Sequence, residues 1–291
     1  MRHIIIILIL ASITGCKEDL KEEQVNTVDS TKLVAKSIDS LEPVEYSPQL
    51  ERELSIEKKQ MEFVKLKDER EELEALIFEK NFLKEEDLYT LDFRYPLLNE
   101  NLKPSHVNFN EYINEHYVDI LGTEAGILED IELICDTIRT NRQREKRFID
   151  YKIYNVNDQL VSILFYKENF YSGTLHPTYS FDCMNFDLNR GVFMNYEDFF
   201  IEGSEEEFRD ILNDIVEEKI EKGEMYYDCW KISENDFFDY KDNFVLNDTY
   251  VSYYFDDCVI CPSYTGSYSV EIPLVKLLPV LKRYNLNPLV F

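Results

Sequence analysis

Glycine is scarce, with eight residues in a chain of 291. That leaves no glycine-rich phosphate cradle and no Gly-x-Ser-x-Gly nucleophile turn. Histidine is scarcer still, with four residues, and His3, His106, His116 and His176 fall into no HExxH or comparable ligand spacing. These counts give no reason to expect a catalytic residue, a metal or a cofactor. Basic residues number 31 against 58 acidic ones, a net charge of −27. Phosphate backbones would be repelled by such a chain, so nucleic acid is excluded as a partner. With 58 carboxylates, neighbouring pairs arise by chance and do not argue for glycoside hydrolysis. The apolar run from Ile4 to Ala11 is far shorter than the roughly 20 residues a membrane-spanning helix needs.

What is present is aromatic. Twenty tyrosines and 19 phenylalanines sit in a chain that is 44% hydrophobic, which excludes general disorder. Tyrosine suits antiparallel strands, where the ring packs on the sheet and the hydroxyl reaches water. The acidic excess reads in two ways. It is a solvated surface, or it draws basic proteins and cations toward the chain.

In chain order, Arg2, the apolar run and Ile13-Thr14-Gly15-Cys16 form a targeting segment over residues 1–15. The small residues before Cys16 resemble the lipobox of bacterial lipoproteins, which implies cleavage before Cys16 and its acylation, and so a membrane anchor. Lys17-Glu18-Asp19 is similar to the acidic tag of some outer-membrane lipoproteins, giving an expected place at the outer membrane, on its surface or periplasmic face. Residues 16–49 are polar and interrupted by Pro43 and Pro48, and read as a flexible tether. Residues 50–86 carry Phe63, Leu66, Leu73, Leu76, Ile77 and Leu83 at three- and four-residue steps, which predicts a charged amphipathic helix.

The folded part follows, as residues 87–170 and 171–291. Strands are expected at 88–98, 148–156, 160–170, 244–246, 250–255 and 268–272, with hairpin turns at Asn157-Asp158 and Asn247-Asp248. Helices are expected over 107–121 and 127–144. Another begins at a capping box of Ser204 and Glu207 and ends near Gly223, and a last one follows Pro273. Residues 224–242 read as irregular. This order lacks a βαβ alternation, so the fold class is α+β, antiparallel hairpins packed with several helices and preceded by the charged helix.

Besides Cys16, the chain has Cys135, Cys183, Cys229, Cys258 and Cys261. In an exported protein the last three are disulfide candidates. Buried thiols, a metal or redox chemistry are the other readings. The Cys258-x-x-Cys261 pair follows a strand and does not open a helix, the position that would lower a thiol pKa. An odd count leaves at least one thiol unpaired.

The stretch FYSGTLHPTYSFDCMNFDLNRGVFMNYEDFF, residues 170–200, resembles the signature of the extracellular RsiV-type domain. Tyr171, Gly173 and His176 match its loop; Asn185 to Leu188 and Gly191 match its turn; Asp198 and Phe200 match its helix entry. Near the C-terminus, Pro262, Tyr264 and Gly266 match its Pro-x-Tyr-x-Gly loop. Thr174-Leu175 and Pro177 depart from the family pattern. The resemblance implies an envelope-facing, non-enzymatic domain that binds a macromolecule, with lysozyme known as the ligand in one branch. The sigma-binding segment of that branch and the catalytic domain of the family's deacetylase branch are not matched. The resemblance makes Tyr171, Ser172, Gly173, His176, Pro262 and Tyr264 the candidate ligand contacts and a basic, lysozyme-like protein the candidate partner. A structural or assembly lipoprotein without a soluble ligand is the alternative.

Overall fold

A computed structural model describes residues 75–133, 144–283, 287 and 289. The candidate lipidation site Cys16, the tether, Cys135 and most of the expected N-terminal helix lie outside the described residues. Where that helix was expected to end, the structure has a strand instead, β1 (Ile77–Glu85), paired antiparallel with β2 (Tyr89–Leu98). The apolar steps in this stretch fit a helix, but pairing with β2 seats Phe82 opposite Phe93 and saturates one side of the backbone, so tertiary pairing overrides local periodicity.

After β2 come α1 (His106–Tyr112), a π-helical turn (Ile113–Val118) and α2 (Ile120–Leu133). The single helix expected over 107–121 is therefore broken, and Asp119 turns left-handed at φ 31° between the pieces. The chain then returns as β3 (Glu145–Val156), β4 (Leu160–Phe170), β5 (Thr178–Asp187) and the short β6 (Val192–Met194). These strands lie in sequence order as one six-stranded sheet. All neighbours are antiparallel except β2 and β3. The helical crossover between those two is what parallel pairing requires, so the expectation of a wholly antiparallel sheet is corrected at this one pair.

A second, three-stranded antiparallel sheet holds β7 (Phe244–Leu246), β8 (Tyr250–Tyr254) and β9 (Ser269–Pro273). Between the sheets in sequence run α3 (Tyr196–Phe199), α4 (Glu205–Glu221) and α5 (Glu234–Tyr240). The stretch expected to be irregular thus contains α5, started by a capping box in which the Ser233 hydroxyl accepts from Asp236 N at 3.1 Å. The box expected at Ser204 does not form. That hydroxyl bonds the Ile201 carbonyl and lies 2.8 Å from the Tyr196 hydroxyl. Helix α6 (Leu274–Leu277) is a single turn, shorter than expected.

The first sheet is covered on both faces. On one, Phe109, Ile113, Val118 and Ile127 pack against Leu91, Phe93, Ile149, Ile163 and Phe165. On the other, Leu164, Tyr166 and Phe181 meet Val245, Tyr254 and Tyr268. This explains why β4 is buried over almost its whole length. Beyond the second sheet, Phe208, Leu212 and Val216 of α4 close a third core with Phe237, Phe244, Tyr253 and Ile272. Side chains stitch the two sheets together. Leu246 N donates to Ser162 Oγ (2.8 Å), and Asn185 Nδ2 donates to the Phe244 carbonyl (2.8 Å). Asn243 accepts from Cys183 N and donates to the Phe181 and Tyr254 carbonyls. Each such bond contributes about 1 kcal/mol, and losing a partner leaves a backbone group unsatisfied.

Candidate functional site

Two loops carry the candidate contacts expected from the sequence. The first, 171–177, joins β4 to β5. The Arg147 guanidinium lies 4.1 Å from the centre of the Tyr171 ring. Arg147 is itself almost buried; it donates to Glu145 Oε2 at 2.7 Å and to the Phe170 carbonyl at 3.0 Å. Tyr171 is therefore tied to the scaffold by one face of its ring while the residue stays 39% exposed. The turn is closed by Thr174, whose N–H and hydroxyl both donate to the Tyr171 carbonyl. Gly173 adopts φ 89°, a left-handed conformation natural to glycine. Ser172 is half-buried and His176 exposed, beside Leu175, which is 79% exposed.

The second loop, 256–267, is braced at several points. A disulfide joins Cys229 to Cys261. Among the three candidate cysteines the bridge therefore takes the two distant in sequence, and Cys258 is free and exposed. Trp230 donates from its backbone to the Ile260 carbonyl (3.0 Å) and from Nε1 to the Val259 carbonyl (2.8 Å). Pro262 then opens a one-turn 3-10 helix (Ser263–Thr265), where the Thr265 hydroxyl donates back to the Pro262 carbonyl at 2.8 Å. Gly266 ends it at φ 69°. The side chain of Tyr264 is not among those described. The feet of the two loops share one aromatic cluster, in which Phe181 meets Tyr268 at 4.8 Å between ring centres. No hydrogen bond or ion pair among the described residues joins Tyr171, Ser172, Gly173 or His176 to Pro262.

A third feature was not legible in the sequence. Strand β6 pairs only with Asn185 to Asp187, so on the side away from β4 no strand lies beside 178–184 of β5. Along that edge runs an open groove of about 520 Å³, lined by residues that include Tyr112, Tyr117, Lys167, Asp182, Tyr240 and Asp256. The Lys167 ammonium sits 3.8 Å from the Tyr117 ring centre and 3.3 Å from Asp182, which also accepts from the Tyr117 hydroxyl at 2.8 Å. Asp256 accepts from Phe181 N at 3.0 Å. Burial, helped by the charge of Asp182, nonetheless pushes the Asp256 carboxyl above its ordinary range. Burial and the Asp256 charge likewise push up the Tyr240 hydroxyl. The Cys183 thiol is raised by burial and by the same two aspartates, so it is a poor nucleophile. Among the described residues, no three histidine, cysteine or acidic side chains converge to hold a metal ion.

Residues 197–274 match the family model described as a protein of unknown function, DUF3298, so the chain carries a DUF3298 domain there. Two solved DUF3298 structures are similar to it. One, from Bacteroides fragilis, is 17% identical, with 72% of this chain and 94% of that one covered at a TM-score of 0.48. The other, from Pseudomonas aeruginosa, is 14% identical, with 71% and 93% covered at 0.48. No curated protein matches the chain.

Proposed function

We propose that this chain is a lipid-anchored, non-enzymatic protein of the bacterial envelope that binds a basic macromolecule, a lysozyme-like protein being the model ligand, through the 171–178 and 258–267 loops. The observation that carries the reading is the state of the second loop. Pro262 sits one residue after the Cys229–Cys261 bridge, in a 3-10 turn already closed by Thr265. A loop ordered before binding loses little entropy when a partner holds it. The first loop presents Leu175 and His176 to solvent from a base fixed by Arg147. A net charge of −27 accelerates the approach of a basic partner. The RsiV-type resemblance supplies the choice of ligand, and the Cys16 motif supplies the anchor.

The test has two arms. Metabolic palmitate labelling should mark the wild-type chain and not Cys16→Ala; label on the variant removes the anchor from the reading. Purified protein should bind lysozyme in a salt-sensitive manner. Pro262→Ala with Tyr264→Ala should weaken that binding by about 2 kcal/mol or more, the size of an interface hot spot, without changing the melting temperature. Equal binding by the variant, or none by the wild type, overturns the ligand assignment.

A further inference from the structure

The groove along β5 is distinct from the candidate contacts of both loops, touching the second only at its first residue, Asp256, and its charge is not balanced. Of its four aspartates, Asp182 faces Lys167, and Asp242 takes up the Tyr196 N–H. Among the described residues, Asp239, Asp242 and Asp256 have no cation within salt-bridge distance, although Asp256 is half-buried. Asp256 is served by the Phe181 N–H, the Tyr240 hydroxyl and the charge of Lys167 beyond ion-pair distance, and burial still disfavours its charged form, so a cation placed against it would be stabilising. The groove also holds a buried acceptor without a donor. Asn185 lines it and is 1% exposed; its amide nitrogen is used by the Phe244 carbonyl, and its Oδ1 has no partner. Buried polar atoms are ordinarily satisfied, so an orphan in a groove with more carboxylates than cations points to a missing donor.

The walls are suited to such a donor. Tyr112, Tyr117, Phe193 and Tyr240 line the space, and the Tyr112 and Phe193 rings lie 4.6 Å apart. Lys167 supplies an internal precedent, an ammonium held against the Tyr117 ring and the Asp182 carboxylate. A volume of about 520 Å³ is that of a small-molecule site.

We infer that the β5 groove binds a small organic cation carrying an alkylammonium or guanidinium group, with Asp239 and Asp256 as counter-charges and the tyrosines as walls. This site stands whether or not the loops bind a protein.

The experiment is titration calorimetry of the full chain with 1,5-diaminopentane and with agmatine, using 1,5-pentanediol as the uncharged match in length. One-to-one saturation by a cation is expected, with no heat from the diol. Asp256→Asn, which keeps the acceptor for Phe181 N, should weaken binding at least tenfold. Asp239→Asn with Tyr112→Leu should do so by a similar factor from the solvent side, and it decides the matter if Asp256→Asn fails to fold. Asp214→Asn with Glu221→Gln removes the same two charges from the exposed face of α4 and should leave binding unchanged. Absence of saturation at millimolar cation overturns the site. An equal loss in the α4 control also overturns it, since the cation would then only be screening an acidic surface. Saturation by a lysine-containing peptide and not by the free amines overturns its assignment to a small molecule.

Discussion

The first sheet and the second are secured by different chemistry. Every buried charged side chain among the described residues lies in β3, β4 or β5: Glu145, Arg147, Asp150, Glu168 and Asp187. From Leu188 onward there is none, and that region instead carries the Cys229–Cys261 bridge and an almost wholly apolar core. The difference follows from layering. Strands β3 to β5 lie between helices on one side and the second sheet on the other, so polar side chains on their covered stretches are shielded from water and find partners there. The second sheet has helices on one face, and its charged residues turn outward along α4. The two candidate binding loops inherit this contrast. One is held at its base by a buried arginine, the other by a disulfide.

Removing the arginine should have the largest effect. In Arg147→Met the Glu145 carboxylate and the Phe170 carbonyl lose the guanidinium as a donor in a nearly water-free place. Breaking a buried pair from one side costs about 3–5 kcal/mol. Urea unfolding should show that loss, and the ring of Tyr171 should gain mobility. A loss below about 1 kcal/mol would mean that the charged network is incidental to the first sheet.

The disulfide comes next. It closes a sequence separation of 32 residues, for which chain entropy predicts about 3.5 kcal/mol of stabilisation. Cys229→Ala with Cys261→Ala should cost that much, and hydrogen exchange should quicken in β8 and β9 more than in β3 and β4. Equal loss of protection in both sheets would show that the two regions open as one unit, and the contrast between them would then be chemical only.

Those parts of the fold that local chemistry decides were legible in the sequence. The turn at Asn157-Asp158 appears where expected because the Asn157 side chain accepts from Gln159 N and Leu160 N, a bond made within four residues. Helix α4 ends beside Gly223, at φ 73°. Features decided at a distance were not legible. Strand β1 depends on β2, the π-helical break depends on packing under the sheet, and Ser204 leaves its capping role for Tyr196. The loops were found by their glycines and prolines. The groove was hidden because its four aspartates are a small sample of 58 acidic residues, and only folding brings 182, 239, 242 and 256 together.

The smallest expected effect is the pH dependence that Asp150 contributes in the first sheet. Asp150 is buried on β3 and ion-paired with Arg94 of β2, which also bonds Glu79 of β1 at 2.9 Å. Burial outweighs the favourable charge of Arg94 and pushes the Asp150 carboxyl up to about 6 from 3.8. In the window between those values the folded chain holds a proton that the unfolded chain has released. The contribution of Asp150 to stability therefore falls as pH rises from about 4 to about 6 and levels off above it, and comparison with Asp150→Asn isolates it from carboxylates of opposite sign such as Asp187. Two pKa units set a ceiling near 3 kcal/mol, and screening of the partly exposed Arg94 reduces it to on the order of 1–2 kcal/mol. The matching measurement is a carboxyl carbon titration followed by NMR, with urea midpoints taken at pH 4.5 and 6.5. A midpoint for Asp150 near 6, with the greater exchange response to pH in β2 and β3, would tie the loss of stability toward higher pH to the charged sheet. An ordinary carboxylate midpoint, near 4, would mean that Arg94 fully offsets burial, and that the charges of the first sheet are as settled as the apolar packing of the second.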